Sequence, residues 1–213
     1  GLGETARYER TDFIRVAPET AYADPAGGHV PPFLTPANAA TSLLEAVAVS
    51  GDAPGTGTVI RLAAGVYTTP AVIQIERAIR LVGESGPAAT LVQSGGSTFR
   101  PFIVSHPDAR LEGLSVKGAA GAGNYYYGGA LRLHNGTVSN CVFRDTRIGG
   151  AGGAVYMTNG LMTHCTIASN SVTEWQLGYG GGLYLSGGRV EYTLFASNTT
   201  LSHQGGGAVY MTG

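Results

Sequence analysis

Arg132, Tyr156, Tyr184 and Tyr210 occupy the same place in four copies of one short phrase, and three of them carry a flat phenol ring. Aromatic faces set at regular intervals can stack on sugar rings while nearby polar groups bond their hydroxyls. Trp175, between two copies, offers a further face for the same use. The same column would serve equally as a ladder bracing the outside of a rod, or as a contact to another chain.

Cys141 and Cys165 also hold equivalent positions, 24 residues apart. Stacked strands put such positions about 4.8 Å apart, inside the Cα range of a disulfide but with Cβ atoms too widely set for ideal geometry. Leu114 and Thr193 hold the flanking equivalent positions. Two readings stay open: a stacked pair of buried thiols, or a disulfide. No second Cys or His pair at ligand spacing accompanies them, so no metal is expected.

Catalysis makes demands these residues do not meet. Hydrolysing a polysaccharide takes two facing carboxylates, and eliminating across it takes clustered acids for calcium with a basic partner. The acids of the repeats are Asp145, Glu174 and Glu191, and no two of them align on adjoining repeats. His29, His106, His134, His164 and His203 are scattered, and His164, aligned with Asn140 and Tyr192, reads as a corner residue. There is no Gly-x-Ser-x-Gly elbow, phosphate loop or Asp-rich calcium repeat. No catalytic residue and no cofactor is expected. Asn135-Gly-Thr137 and Asn198-Thr-Thr200 are formal glycosylation sequons.

The elements behind these residues follow from the repeats. Gly128-Gly-Ala-Leu-Arg-Leu133, Gly152-Gly-Ala-Val-Tyr-Met157, Gly180-Gly-Gly-Leu-Tyr-Leu185 and Gly206-Gly-Ala-Val-Tyr-Met211 recur at spacings of 24, 28 and 26 residues. A second phrase follows each of the first three: Val138-Ser-Asn-Cys-Val-Phe143, Met162-Thr-His-Cys-Thr-Ile167 and Val190-Glu-Tyr-Thr-Leu-Phe195. Tight turns at Asn135-Gly136, Asn159-Gly160 and Gly187-Gly188 separate the two, leaving room for two short strands and no helix. Such a unit cannot bury its apolar side alone and must stack on its neighbours. The expectation is an all-β, right-handed parallel β-helix. Side-chain alternation then points Leu131, Val155, Leu183 and Val209 inward and Arg132, Tyr156, Tyr184 and Tyr210 outward. The loops between repeats should emerge on one side, carrying Tyr125-Tyr-Tyr127 and Trp175.

The alternation of Gly-Gly-Ala-(Val/Leu) with Phe195-Ala-Ser-Asn198 and Ile167-Ala-Ser-Asn170 resembles the repeats of polymorphic outer-membrane proteins, within the broad pectin-lyase-like superfamily. Phe143-Arg-Asp-Thr146 lacks the final Asn. The likeness covers about the last hundred residues well and the middle more loosely. It implies a surface-exposed bacterial protein, secreted or displayed outside the cell, and no particular reaction.

Upstream, Thr35 and Pro36 are suited to the N-cap and first position of a helix, with Ala39, Leu43, Leu44 and Val47 on one face and an end near Gly51. This N-terminal helix is expected to cap the first coil. The division is then an N-terminal extension over 1–21, a cap over 22–57 and coils over 58–213. Short strand-like runs from Thr58 to Val92, and Leu111-Glu-Gly-Leu-Ser-Val116 in the wording of the second phrase, place the first coils well before Gly128.

The chain has 213 residues, a formal net charge of −1, 34 glycines and 13% charged residues. That balance offers no basic stripe for nucleic acid and no polybasic patch for lipid. No run of 18 or more apolar residues occurs, so no membrane span is expected. The first residue is Gly1, which fits a processed or shortened form. The sequence stops at Thr212-Gly213 just after a fourth first phrase, and Tyr8 to Val16 reads as a strand. From this the expectation is head-to-tail self-association into a filament, the N-terminal segment over 1–21 of one copy covering or completing the open coil of the next; the rival is simple truncation. Two functions remain: a non-catalytic structural or adhesive rod, or a module that binds or cleaves carbohydrate.

Overall fold

The structure, a computed structural model, describes residues 17–51, 57–96, 98–119, 127–174, 178–203 and 205–212. Its strands pair only in parallel, each with the equivalent strand of the next coil, and the chain winds into a β-solenoid. The first side is a seven-stranded sheet, running from Thr20–Ala23 and Thr58–Leu62 through Thr137–Ser139 and Leu161–Thr163 to Arg189–Glu191. The second is six-stranded, from Gly65–Thr69 to Leu194–Ala196, and the third six-stranded, from Ile73–Ile75 to Val209–Met211. A short fourth sheet of Arg147–Ile148, Ser171–Val172 and Thr199–Thr200 lies between the second and third sides in the later coils.

Three columns of inward side chains fill the rod. Ile60, Leu81, Leu111, Val138 and Met162 come from the first side, and Val92, Val116, Phe143 and Ile167 from the second. Ile73, Phe102, Leu131, Val155 and Leu183 come from the third, and every member of these three columns has no exposed surface. Burial on this scale, at roughly 25 cal/mol per Å² of apolar surface, is what holds short strands together that would not persist alone.

The second phrase departs from the expected single strand. Val138-Ser-Asn-Cys-Val-Phe143 is two strands, Thr137–Ser139 and Val142–Arg144, on different sides of the rod. The break is Asn140, in the left-handed region with φ 49°, and the equivalent His164 and Tyr192 have φ 52° and 45°. Asn and His tolerate that region better than most residues, so a corner without glycine is possible. A second such corner has Asp145, Ser169 and Ser197 at φ 56°, 58° and 53°. Glycine is needed where coils come closest. A Cβ on Gly153 would fall far inside contact distance of the Gly181 carbonyl oxygen in the next coil.

The cap also differs from expectation. Thr35 does act as an N-cap, its Oγ1 accepting from Asn38 N at 3.3 Å, but what it caps is one 3-10 turn, Pro36–Asn38. The α-helix is separate, Leu43–Val49, with Leu43, Ala46 and Val47 buried. Between the two, Ala40 bridges to Ala23 and donates to Tyr22 O at 2.9 Å, so pairing to the first sheet interrupts the helix. Arg77 closes the helix from the first full coil, its Nη1 donating to Ser50 O at 2.6 Å and its Nη2 to Val47 O at 3.3 Å. The strand Thr20–Ala23 starts the first sheet, so the solenoid begins across the expected border at residue 21. The strand expected over Tyr8 to Val16 lies outside the described residues. No helix among the described residues is long and apolar enough to cross a membrane.

Candidate functional site

The outer face of the third side carries the column expected from the repeats. Parallel pairing places Ile103 beside Arg132, Arg132 beside Tyr156, Tyr156 beside Tyr184 and Tyr184 beside Tyr210. The inward neighbours Leu131, Val155 and Leu183 are fully buried while all four column residues are half-buried. Strand spacing brings the rings to centroid separations of 4.9 Å for Tyr156 and Tyr184 and 5.5 Å for Tyr184 and Tyr210. Interplanar angles of 12° and 23° make both pairs face-to-face stacks.

Two more tyrosines join from the corner between the second and third sides. Tyr127 and Tyr179 bridge to Ala151 from either side, which stacks their positions in a second column beside the first. The Tyr127 ring lies 4.9 Å from that of Tyr156 at 59°, and the Tyr179 ring 4.6 Å from that of Tyr210 at 41°. The Arg132 guanidinium carbon sits 5.4 Å from the Tyr127 ring centre, a cation–π contact, and its Nε donates to Tyr127 O at 3.4 Å. The place of Tyr127 and Tyr179 was available from the sequence. Each directly precedes a Gly-Gly pair, at the position Ala151 and Gly205 take in the other copies. Trp175 lies outside the described residues.

Burial, then the neighbouring Tyr184 and Tyr127 hydroxyls, push the Tyr156 phenol above its ordinary range, so it stays protonated at neutral pH. His134, one coil earlier on the same side, is held below its usual value by burial and by Arg132 and Arg100, and its Nδ1 lies 3.0 Å from Thr158 Oγ1.

Four carboxylates on the rod, two of them among the three acids of the repeats, are paired with arginines. Glu84 meets Arg61 at 2.9 Å, Glu112 meets Arg80 at 2.6 Å, Asp145 meets Arg144 at 2.6 Å, and Glu191 meets Arg189. Among the described residues no three His, Cys, Asp or Glu side chains gather where they could hold a metal ion. A cleft of about 40 Å³ opens where the cap meets the first full coil, between Tyr22, Asp24, Arg61 and Glu84. It is far smaller than the roughly 300–1,000 Å³ of ordinary ligand pockets.

The remaining repeat residues have structural places. Cys141 and Cys165 are buried and stand unbonded at equivalent places in successive coils. Cys141 Sγ donates to Ser139 O at 3.2 Å and Cys165 Sγ to Thr163 O at 3.3 Å; Thr193 Oγ1 repeats the bond to Glu191 O at 2.8 Å. The three fill one corner in successive coils. His164 is a corner residue stacked on Tyr192 at 4.9 Å. At the other corner, Thr146, Asn170 and Asn198 form a column in which each side chain accepts from the backbone of the preceding coil. Gly118 N donates to Thr146 Oγ1 at 3.2 Å, Thr146 N to Asn170 Oδ1 at 3.1 Å and Asn170 N to Asn198 Oδ1 at 3.1 Å. The final Asn of Phe-x-x-Asn is therefore an internal clasp, and the sequon at Asn198 has its amide engaged, Nδ2 donating to Ile167 O at 2.7 Å.

Fold and site together define a parallel β-solenoid with a filled interior and an aromatic outer column. The chain matches no family model and no curated protein.

Proposed function

We propose that this chain is a non-catalytic structural or adhesive β-helix, displayed outside a bacterial cell, whose outer tyrosines brace neighbouring coils. One observation carries the reading. Tyr156, Tyr184 and Tyr210 present their ring faces to one another, so the surfaces a sugar would stack on are already occupied, leaving ring edges and hydroxyls outward. Pairing of Glu84, Glu112, Asp145 and Glu191 with arginines supports the non-catalytic part. The extracellular and bacterial part rests on the resemblance of the Gly-Gly-Ala and Phe-x-x-Asn phrases to polymorphic outer-membrane protein repeats.

The test is affinity electrophoresis through gels containing pectin, alginate, xylan or mannan, with parallel assays for new reducing ends and for ultraviolet-absorbing unsaturated product. The expected result is unretarded migration and no product, while Tyr184→Ala lowers the melting temperature by removing two stacked contacts of about 0.5–1.5 kcal/mol each. Retardation by one polymer that Tyr184→Ala abolishes would replace this reading with a carbohydrate-binding one. Product formation lost on substituting Glu174 or Glu191 would replace it with an enzymatic one.

A further inference from the structure

The geometry points to the stacked tyrosines as an oxidative cross-linking site, in which a one-electron oxidant joins Tyr156 to Tyr184, and secondarily Tyr184 to Tyr210, as dityrosine bonds between neighbouring coils. The oxidant class is the ferryl haem of a peroxidase, with hydrogen peroxide as the final electron acceptor. Each phenol gives up one electron and its hydroxyl proton to become a phenoxyl radical with unpaired density at the ring carbons next to the oxygen. A Cε of one ring bonds to a Cε of the other, and each bonded carbon then passes its hydrogen, as a proton, back to the phenolic oxygen. The net change is two hydrogen atoms lost from the protein and one peroxide converted to two waters.

Three observations select these pairs. The new bond grows from p orbitals perpendicular to each ring, so it needs rings face to face. Tyr156 and Tyr184 are 4.9 Å apart at 12°, and Tyr184 and Tyr210 are 5.5 Å apart at 23°. The Tyr127–Tyr156 and Tyr179–Tyr210 pairs are as close but tilted by 59° and 41°, which turns the orbitals away from each other. Backbone register fixes the stacked partners side by side, and such held pairs react as if at very high concentration. Finally, Tyr192 is the most exposed of the described tyrosines at 79%, yet its stacking partner is His164, with which no dityrosine can form. Exposure and stacking therefore name different sites.

The experiment treats dilute protein with a haem peroxidase and limiting hydrogen peroxide. Dityrosine is read by its fluorescence, the intact mass by the loss of two hydrogens, and the linked residues by peptide mapping. The expected product is a cross-linked monomer joined at Tyr156–Tyr184, with Tyr184–Tyr210 as the minor species and a yield unchanged over a tenfold dilution. Tyr184→Phe keeps the ring stack and the fold, checked by circular dichroism and melting, and loses the monomer signal; Tyr192→Phe leaves it unchanged. The proposal is overturned if Tyr184→Phe cross-links as well as the parent, if the links join other tyrosines, or if only dimers linked through Tyr192 form.

Discussion

Replacing Asn170 by alanine removes the clasp of one corner and strands a backbone donor that water cannot reach. The Asn170 side chain accepts from Thr146 N at 3.1 Å and donates to Phe143 O at 3.0 Å. Thr146 is 1% exposed and Phe143 0%. A buried donor left without a partner costs about 1–3 kcal/mol, and here that donor is Thr146 N; the Phe143 carbonyl keeps its place in the ladder to the next strand, so its lost bond adds little. The third bond, from Nδ2 to Asn198 Oδ1 at 2.9 Å, faces a half-exposed partner and is replaced by water at little cost. Domains are stable by about 5–15 kcal/mol in all, so the loss is a large share. With a urea slope of about 2 kcal/mol per molar, the midpoint falls by roughly 0.5–1.5 M. Asn170→Thr should land in between. Thr146, the residue it would imitate, already accepts a backbone N–H through its hydroxyl at 3.2 Å. Asn159→Ala, in an exposed turn, should cost under about 0.5 kcal/mol. Urea titrations followed by circular dichroism measure all three. A loss below about 1 kcal/mol for Asn170→Ala, or a threonine variant weaker than the alanine one, would mean that water enters this corner and that the clasp does not hold it.

Two further outcomes are expected. Val155→Asp puts a carboxylate where nothing is exposed and should prevent folding or cause aggregation, an unpaired buried charge costing several kcal/mol, whereas Tyr156→Ser one residue away leaves a soluble folded rod of lower melting temperature. Equal damage from both would reverse the inside–outside assignment. Burial raises both cysteine thiols, Cys165 to about 11, above an unfolded value of about 8.5. A group raised on folding stabilises fully below its unfolded pKa and loses that contribution as pH climbs through the folded one, so melting temperature should fall between about pH 8.5 and 11. Cys165→Ala should fall less steeply over that range; parallel slopes for the two proteins would refute the assignment.

The solenoid was legible because its signal is self-similarity: a phrase recurring every 24 to 28 residues can only be stacked. The outward column followed from the period of two along Leu131, Arg132 and Leu133. The corner inside the second phrase was harder to see. Val138, Cys141 and Phe143 are all buried, at spacings of three and then two, and the odd step is the trace of Asn140 turning the chain through a left-handed conformation. No glycine marks it in these three copies, although Gly113, at φ 70°, stands at the same corner one coil earlier. The split cap escaped for another reason. Thr35-Pro36 and the apolar spacing of Leu43, Ala46 and Val47 are helical locally, and only the distant edge at Ala23 draws Ala40 out of the helix. Which phenols meet was partly written in Tyr127 and Tyr179, each just before a Gly-Gly pair, but the ring tilts that separate Tyr127 from Tyr156 depend on packing that no spacing encodes.

The in-register pairing of every strand with the one a single turn away also governs how the chain finds its fold. Leu131 meets Val155, Val155 meets Leu183 and Leu183 meets Val209, so the stretch to be closed is nearly constant along the rod. Closing a loop of that length costs roughly 3 kcal/mol of chain entropy, much the same for each turn added. The first closure has no template and is the barrier; later ones dock on an edge already formed. Folding should therefore nucleate within the well-buried middle turns and spread to both sides, with contact order per turn fixed however many turns there are. The strand Thr20–Ala23 reaches Thr58–Leu62 across a longer stretch that holds the whole cap, yet the slow growth of closure entropy with length makes this edge only about 0.4 kcal/mol harder to close than an ordinary turn.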